Sequence, residues 1–113
     1  MKTFFASAVA AVMLAGAVSA PAAHAADPTF QLTIRNHLFQ PDTLTIPADT
    51  KVVLEVINED ATPEEFESHD LNREKVIAGK SKGIVVIGPL KPGTYSFVGE
   101  FHEDTAKGRI VVK

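Results

Sequence analysis

What most constrains this chain is a rhythm of short apolar runs in strict alternation with polar residues, each cut off by a turn signal. Phe30-Gln31-Leu32-Thr33-Ile34-Arg35 alternates in this way, Thr43-Leu44-Thr45-Ile46 repeats the pattern, and Lys51 to Ile57 places Val52, Leu54 and Val56 on one side with Glu55 on the other. Thr94 to Val98 (Tyr95 and Phe97 on one face) continues it, while Ile84 to Ile87 and Arg109 to Val112 are short apolar runs of strand length. A period of two is the signature of strands with one buried face. Between the runs stand Phe39-Gln40-Pro41, Pro47-Ala48-Asp49, Ala78 to Gly83 and Gly88 to Gly93, rich in the proline and glycine that end ladders and turn chains. Asp70 to Glu74 reads as a single helical turn and Glu74 to Ile77 as a further short strand. No amphipathic helix of any length is present. Seven to eight short strands in such an order predict an all-β fold, an antiparallel Greek-key β-sandwich.

The first residues follow a different logic. Lys2 supplies a positive charge, Phe4 to Val18 is apolar apart from Ser7 and Gly16, and Ala23-His24-Ala25 has small residues flanking a cleavage point. This is the pattern of a secretory signal peptide over residues 1–25, cleaved between Ala25 and Ala26, with a single domain over 26–113. The apolar run is short for a membrane span of roughly 20 residues. The expectation is an exported, periplasmic protein with no membrane insertion after cleavage. Loss of Lys2 takes the formal net charge from −3 to −4. An acidic domain without a basic patch argues against nucleic acid and against anionic membrane surfaces. Small exported domains are often stapled by disulfides, but this chain has no cysteine, so packing, or packing plus a metal, must hold it.

Two loops carry the chemistry. Gly99-Glu100-Phe101-His102-Glu103 crowds two carboxylates and a histidine into five residues, and Pro63-Glu64-Glu65-Phe66-Glu67-Ser68-His69-Asp70 is a second acidic cluster. In extended chain, residues two apart point the same way. Glu65 and Glu67 therefore share a side opposite Phe66, and Glu100 and His102 share a side opposite Phe101. Each aromatic anchors the core while two donors face outward. His37, leaving the first strand, can join them. The expected metal ligands are His37, Glu65, Glu67, Glu100 and His102. Imidazole plus carboxylate suits copper(II), iron or zinc. The domain lacks cysteine and methionine, because Met1 and Met13 fall in the leader, so a blue-copper site of thiolate and thioether is excluded. Glu59-Asp60 and Asp104 read as loop charges, His69 as exposed, Asp70 as a turn cap, and Glu64 and Glu103 as ambiguous. The competing reading of Glu64, Glu65 and Glu67 is a surface salt-bridge network with Arg73 and Lys75, worth little energetically. Ser68, Ser81 and Ser96 lack a histidine-and-acid setting, so the chain is not a hydrolase of that kind. So small a sandwich offers little cleft for the sugar chain that glycoside hydrolysis by paired carboxylates needs.

Phe39-x-Pro41-x-x-Leu44-x-Ile46, Pro92-Gly93-x-Tyr95 and Lys107-Gly108-x-Ile110-Val111-Val112 resemble the cupredoxin domain. More narrowly, Glu65-Phe66-Glu67-Ser68-x-Asp70-Leu71-x-Arg73-Glu74-Lys75, Gly88-Pro89-Leu90-Lys91-Pro92-Gly93 and Gly99-Glu100-Phe101-His102-x-x-Thr105-Ala106-x-Gly108 resemble the small periplasmic cupredoxin-like subunits of bacterial ferrous-iron permease systems. The resemblance implies ligands from a mid-chain loop and from the loop before the last strand. Where an electron-transfer cupredoxin has its first histidine ligand this chain has Glu64, and near Gly99, where the cysteine belongs, there is none. What remains is an oxygen-and-nitrogen site. The implied role is binding of copper(II) or iron and help in copper-dependent oxidation of iron(II) before a membrane permease takes it, with iron ions and the other permease subunits as partners. The alternatives are a non-redox iron carrier and a docking module with a vestigial site.

Overall fold

A computed structural model describes residues 26–113, together with Thr3 and Gly16; the expected signal peptide lies outside the described residues. Nine strands form the fold: β1 (Thr29–Arg35), β2 (Leu38–Gln40), β3 (Thr43–Ile46), β4 (Val52–Asn58), β5 (Glu64–Ser68), β6 (Arg73–Ile77), β7 (Ser81–Ile87), β8 (Gly93–Gly99) and β9 (Lys107–Val112). They build a four-stranded sheet in the order β2-β1-β4-β7 and a five-stranded sheet in the order β3-β9-β8-β5-β6. A 3-10 turn, Glu100–His102, lies between β8 and β9. Among the described residues no helix is long and apolar enough to cross a membrane.

The all-β sandwich is as the alternation implies, with two refinements. The short β2 takes in Phe39 and Gln40, expected in a turn, because Arg35 pairs with Leu38 across a two-residue turn. The pairings β1/β4 and β3/β9 are parallel, within sheets that are otherwise antiparallel. After β2 the chain passes to the other sheet at Pro41, adds β3 beside β9, and returns as β4 beside β1; parallel neighbours need such a crossover. Residues 69–72 form a turn and Arg73 already belongs to β6, so the helical turn expected over Asp70 to Glu74 does not form.

Burial follows strand parity. In β4, Val52, Leu54 and Val56 are fully buried while Val53, Glu55 and Ile57 face outward. At the centre, Phe39, Phe66 and Phe97 form an aromatic cluster. Phe97 meets Phe39 edge-on at 4.8 Å and stacks on Phe66 at 5.2 Å with the planes inclined by 29°. These geometries suit the aromatic quadrupole. The cluster brings together β2, β5 and β8, whose ends carry the acidic and histidine residues. Gly108 makes room for it, since a Cβ there would collide with the Phe97 ring.

Truncation of Phe97 to alanine should cost about 3–5 kcal/mol in denaturant unfolding, the usual loss for a buried aromatic. Ile84→Ala, at a residue 51% exposed, should cost much less. Equal losses at the two positions would contradict this account of the core.

Candidate metal centre

The donors separate into two adjacent sets. His37, Glu64 and His102 each offer one ligand atom, all within 4.8 Å of one another, and Glu65, Glu67 and Glu100 do the same. All five residues expected from the sequence lie at this end of the sandwich, but not around one point.

The split has a local cause. Glu100–His102 is a 3-10 turn and not extended chain. With three residues per turn, side chains two apart diverge. Glu100 turns toward β5's outer carboxylates and His102 turns inward to Glu64. Phe101 does not anchor the core as expected; it is 48% exposed. In β5 the extended-chain argument holds, with Phe66 buried and Glu65 and Glu67 on the opposite side.

Glu64 is absent from the ligand set expected from sequence. Strand parity is the signal that finds it: if Phe66 points into the core, so does the residue two before it. Glu64 is 1% exposed. A buried carboxylate is tolerable only with partners, and Glu64 has three. Its Oε1 accepts the backbone N–H of Phe101 at 2.9 Å and of Glu65 at 3.0 Å. Its Oε2 lies 2.5 Å from His102 Nδ1. The carboxyl group and the imidazole share one hydrogen bond, whose donor follows the tautomer of the ring. Gly99 makes this possible, because a Cβ at that position would lie 2.7 Å from Glu64 Cδ and 2.6 Å from Ala106 Cβ.

His37 comes from the β1–β2 turn, where it and Asn36 have φ of 58° and 53°. Two successive positive φ values in a two-residue loop make a type I′ turn. The His37 ring stacks on His102, with centroids 3.6 Å apart and planes inclined by 11°. Its Nδ1 is shielded from solvent and has no hydrogen-bond partner; Asp60 Oδ2 stands 3.4 Å away. Two imidazoles and a carboxylate, each with a donor atom within 4.8 Å of the others, make a donor set of the chemistry that suits a transition metal such as copper(II). Asp60 is more than a loop charge, as it accepts the backbone N–H groups of Asn36 and His37 at 2.8 and 3.0 Å. These bonds, that to His37 foremost, hold its carboxyl below the usual range.

The second set is all oxygen. Glu65 is pushed up to about 7 by burial and by the neighbouring Glu100, and Glu67 is raised by its hydrogen bond to Glu100 and by burial. Glu74 sits opposite Glu67 across the β5–β6 pair and adds to the repulsion. Among the described residues no lysine or arginine pairs with Glu65, Glu67 or Glu100. Arg73 instead donates to the carbonyls of Val86 and Asn72, so the expected salt-bridge alternative does not form. His69 is largely exposed, with Nε2 3.3 Å from Glu67 Oε1. Asp70 accepts the Ser96 N–H and hydroxyl instead of capping its own turn, and Ser68 Oγ accepts the Leu71 N–H there. A crowd of carboxylates without a protein cation suits an oxygen-preferring metal cation.

Residues 8–112 match the family described as the cupredoxin-like domain, and the chain belongs to it. An uncharacterized protein of Rickettsia prowazekii (strain Madrid E) is 46% identical over 82 residues, 73% of this chain and 66% of that protein, so the chain spans just under two-thirds of that relative's length. An auracyanin B structure is similar with a TM-score of 0.69 at 16% identity, covering 80% of this chain and 92% of that one. Auracyanin A, a blue copper protein from Chloroflexus aurantiacus, gives 0.66 at 16%, covering 75% and 98%. The metal-binding domain of the Cu(I)-exporting P-type ATPase of Streptococcus pneumoniae D39 gives 0.64 at 10%, covering 75% and 84%. At these identities the structures establish the fold.

The carboxylate set makes a pH prediction for the metal-free protein. A carboxyl whose folded pKa is raised binds more protons folded than unfolded, so its contribution to stability falls as the pH rises from about 4.5 to about 7. Thermal unfolding should therefore occur at higher temperature near pH 5 than near pH 7.5, and the difference should shrink in Glu65→Gln. Identical pH slopes in the two proteins would refute the repulsion. Asp60 and Asp70, whose carboxyls are lowered, act only at more acid pH.

Proposed function

We propose that this is an exported, periplasmic metal-binding protein of a ferrous-iron uptake system, holding copper at the histidine set and iron at the carboxylate set. The observation that carries the reading is the two chemically distinct donor sets side by side. They share their backbone: Glu64 and Glu65 are neighbours in β5, and Glu100 and His102 belong to one turn.

The chain's own residues do most of the work. Glu65, Glu67 and Glu100 attract and hold iron, and the acidic domain around them favours the approach of cations. Glu64 orients His102 and screens the copper position from solvent. His37 and His102 supply the nitrogen ligands. Copper(II), when bound there, would supply a one-electron acceptor for iron(II), one copper reduced for each iron oxidised. Without a thiolate, the copper centre is an oxygen-and-nitrogen site rather than a blue one. Iron so processed would pass to a membrane permease. A second reading, a non-redox iron carrier, is favoured by the carboxylate set standing apart from the imidazoles, since it holds iron without copper.

Copper(II) titration followed by electron paramagnetic resonance tests the assignment. One axial, nearly colourless copper signal per chain is expected; it should be lost in His102→Ala and kept in the Glu65→Gln, Glu67→Gln double variant. Retention of that signal in His102→Ala would refute the histidine site. Mixing iron(II) with the copper-loaded protein without oxygen should bleach the copper signal in proportion to the iron added. If the signal persists while iron binds, the carrier reading stands instead.

A further inference from the structure

The histidine stack has a scaffold of its own, and this inference rests on the copper reading of that stack. We propose that Asp60 and Thr105 form a clamp that holds the His37 ring on His102, so that a metal meets the two imidazoles already paired. Both are positioning residues and neither is a ligand.

His37 sits at the tip of a hairpin whose second strand has only three residues. Its type I′ turn puts two non-glycine residues at positive φ, a conformation that persists only where the surroundings enforce it. The enforcement comes from two distant segments. On one side the Asp60 carboxylate takes both turn N–H groups, Asn36 through Oδ1 and His37 through Oδ2. Asp60 is itself fixed, with its N–H donated to Asn58 Oδ1 at 3.0 Å and its carbonyl accepting the Lys80 N–H at 2.8 Å. Asn58 is 1% exposed, and its Nδ2 donates to the carbonyls of Thr62, Ile77 and Ala78. The hairpin tip is thereby tied to a rigid buried amide.

On the other side Thr105 touches both histidines. Its Oγ1 donates to the His37 carbonyl at 2.6 Å, and its N–H donates to the His102 carbonyl at 3.2 Å. The Ala106 N–H also donates to the His102 carbonyl, at 2.8 Å, and the Gly99 N–H to the Ala106 carbonyl, at 2.8 Å, closing the loop that carries His102. One hydroxyl therefore sets the distance between two segments that lie 68 residues apart along the chain. Outer contacts of this kind orient ligands and tune metal affinity.

The test compares Asp60→Ala, Thr105→Val and Thr105→Ser with the wild type. Thr105→Val keeps shape and removes only the hydroxyl, which guards against misfolding of the Asp60 variant; Thr105→Ser restores the hydroxyl. In the metal-free proteins, proton NMR of the His37 and His102 rings should show the ring-current shifts of a stacked pair in the wild type and Thr105→Ser. Those shifts should be lost in Asp60→Ala and Thr105→Val. Copper(II) affinity should fall about tenfold or more in the same two variants, with altered hyperfine splitting, and recover in Thr105→Ser. Wild-type ring shifts in both Asp60→Ala and Thr105→Val, with copper affinity within about twofold of wild type, would overturn the clamp. Should the wild type take up no copper, the copper reading falls, while the ring shifts alone still decide whether the clamp exists.

Discussion

The burial of one carboxylate organises this end of the molecule. Glu64 points into the sandwich because it shares strand parity with Phe66, and once inside it must be satisfied. Two backbone N–H groups and the His102 ring meet that need. The same contacts fold the 3-10 turn back over β5, since the Phe101 N–H reaches Glu64 only from that turn. With the turn in place, His102 faces His37 and Glu100 faces Glu65 and Glu67. One buried carboxyl group thus dictates the division of the donors into an imidazole set and an oxygen set.

That division has chemical consequences. An imidazole-rich site and a carboxylate site prefer different ions. Under the proposed function, the two sets would give two different metals neighbouring positions. Burial and like charge raise Glu65 and Glu67, so the metal-free oxygen set is strained by repulsion that a cation relieves. The histidine set faces a different constraint: its ligands come from β1–β2, β5 and the β8–β9 loop, and no single segment orders them. Its geometry depends on hydrogen bonds between loops, those of Asp60, Thr105 and Glu64.

The Greek-key path explains how such distant residues meet. The chain changes sheets at Pro41 and returns as β4, which leaves the β1–β2 turn at the same end as the start of β5 and the end of β8. The aromatic cluster of Phe39, Phe66 and Phe97 locks those three strands together beneath the donors. Both the small side chain at Gly99 and that at Gly108 are required by this packing, the first by the Glu64 carboxylate and the second by the Phe97 ring.

The two-residue periodicity was sufficient by itself to determine the β-sandwich, the inward face of β4 and the shared side of Glu65 and Glu67, because alternation is a local property of extended chain. The same parity also turns Glu64 inward, against the usual solvation of glutamate. Only the tertiary structure decided that Glu100 and His102 part company, because a 3-10 turn replaces the extended backbone there in response to a partner 36 to 38 residues earlier in the chain. Only it decided that Asp60 and Thr105 hold His37, since hydrogen bonds between remote loops leave no periodic trace. The parallel pairings of β1 with β4 and of β3 with β9 were likewise settled by the path of the chain between sheets, a global choice that no single strand encodes.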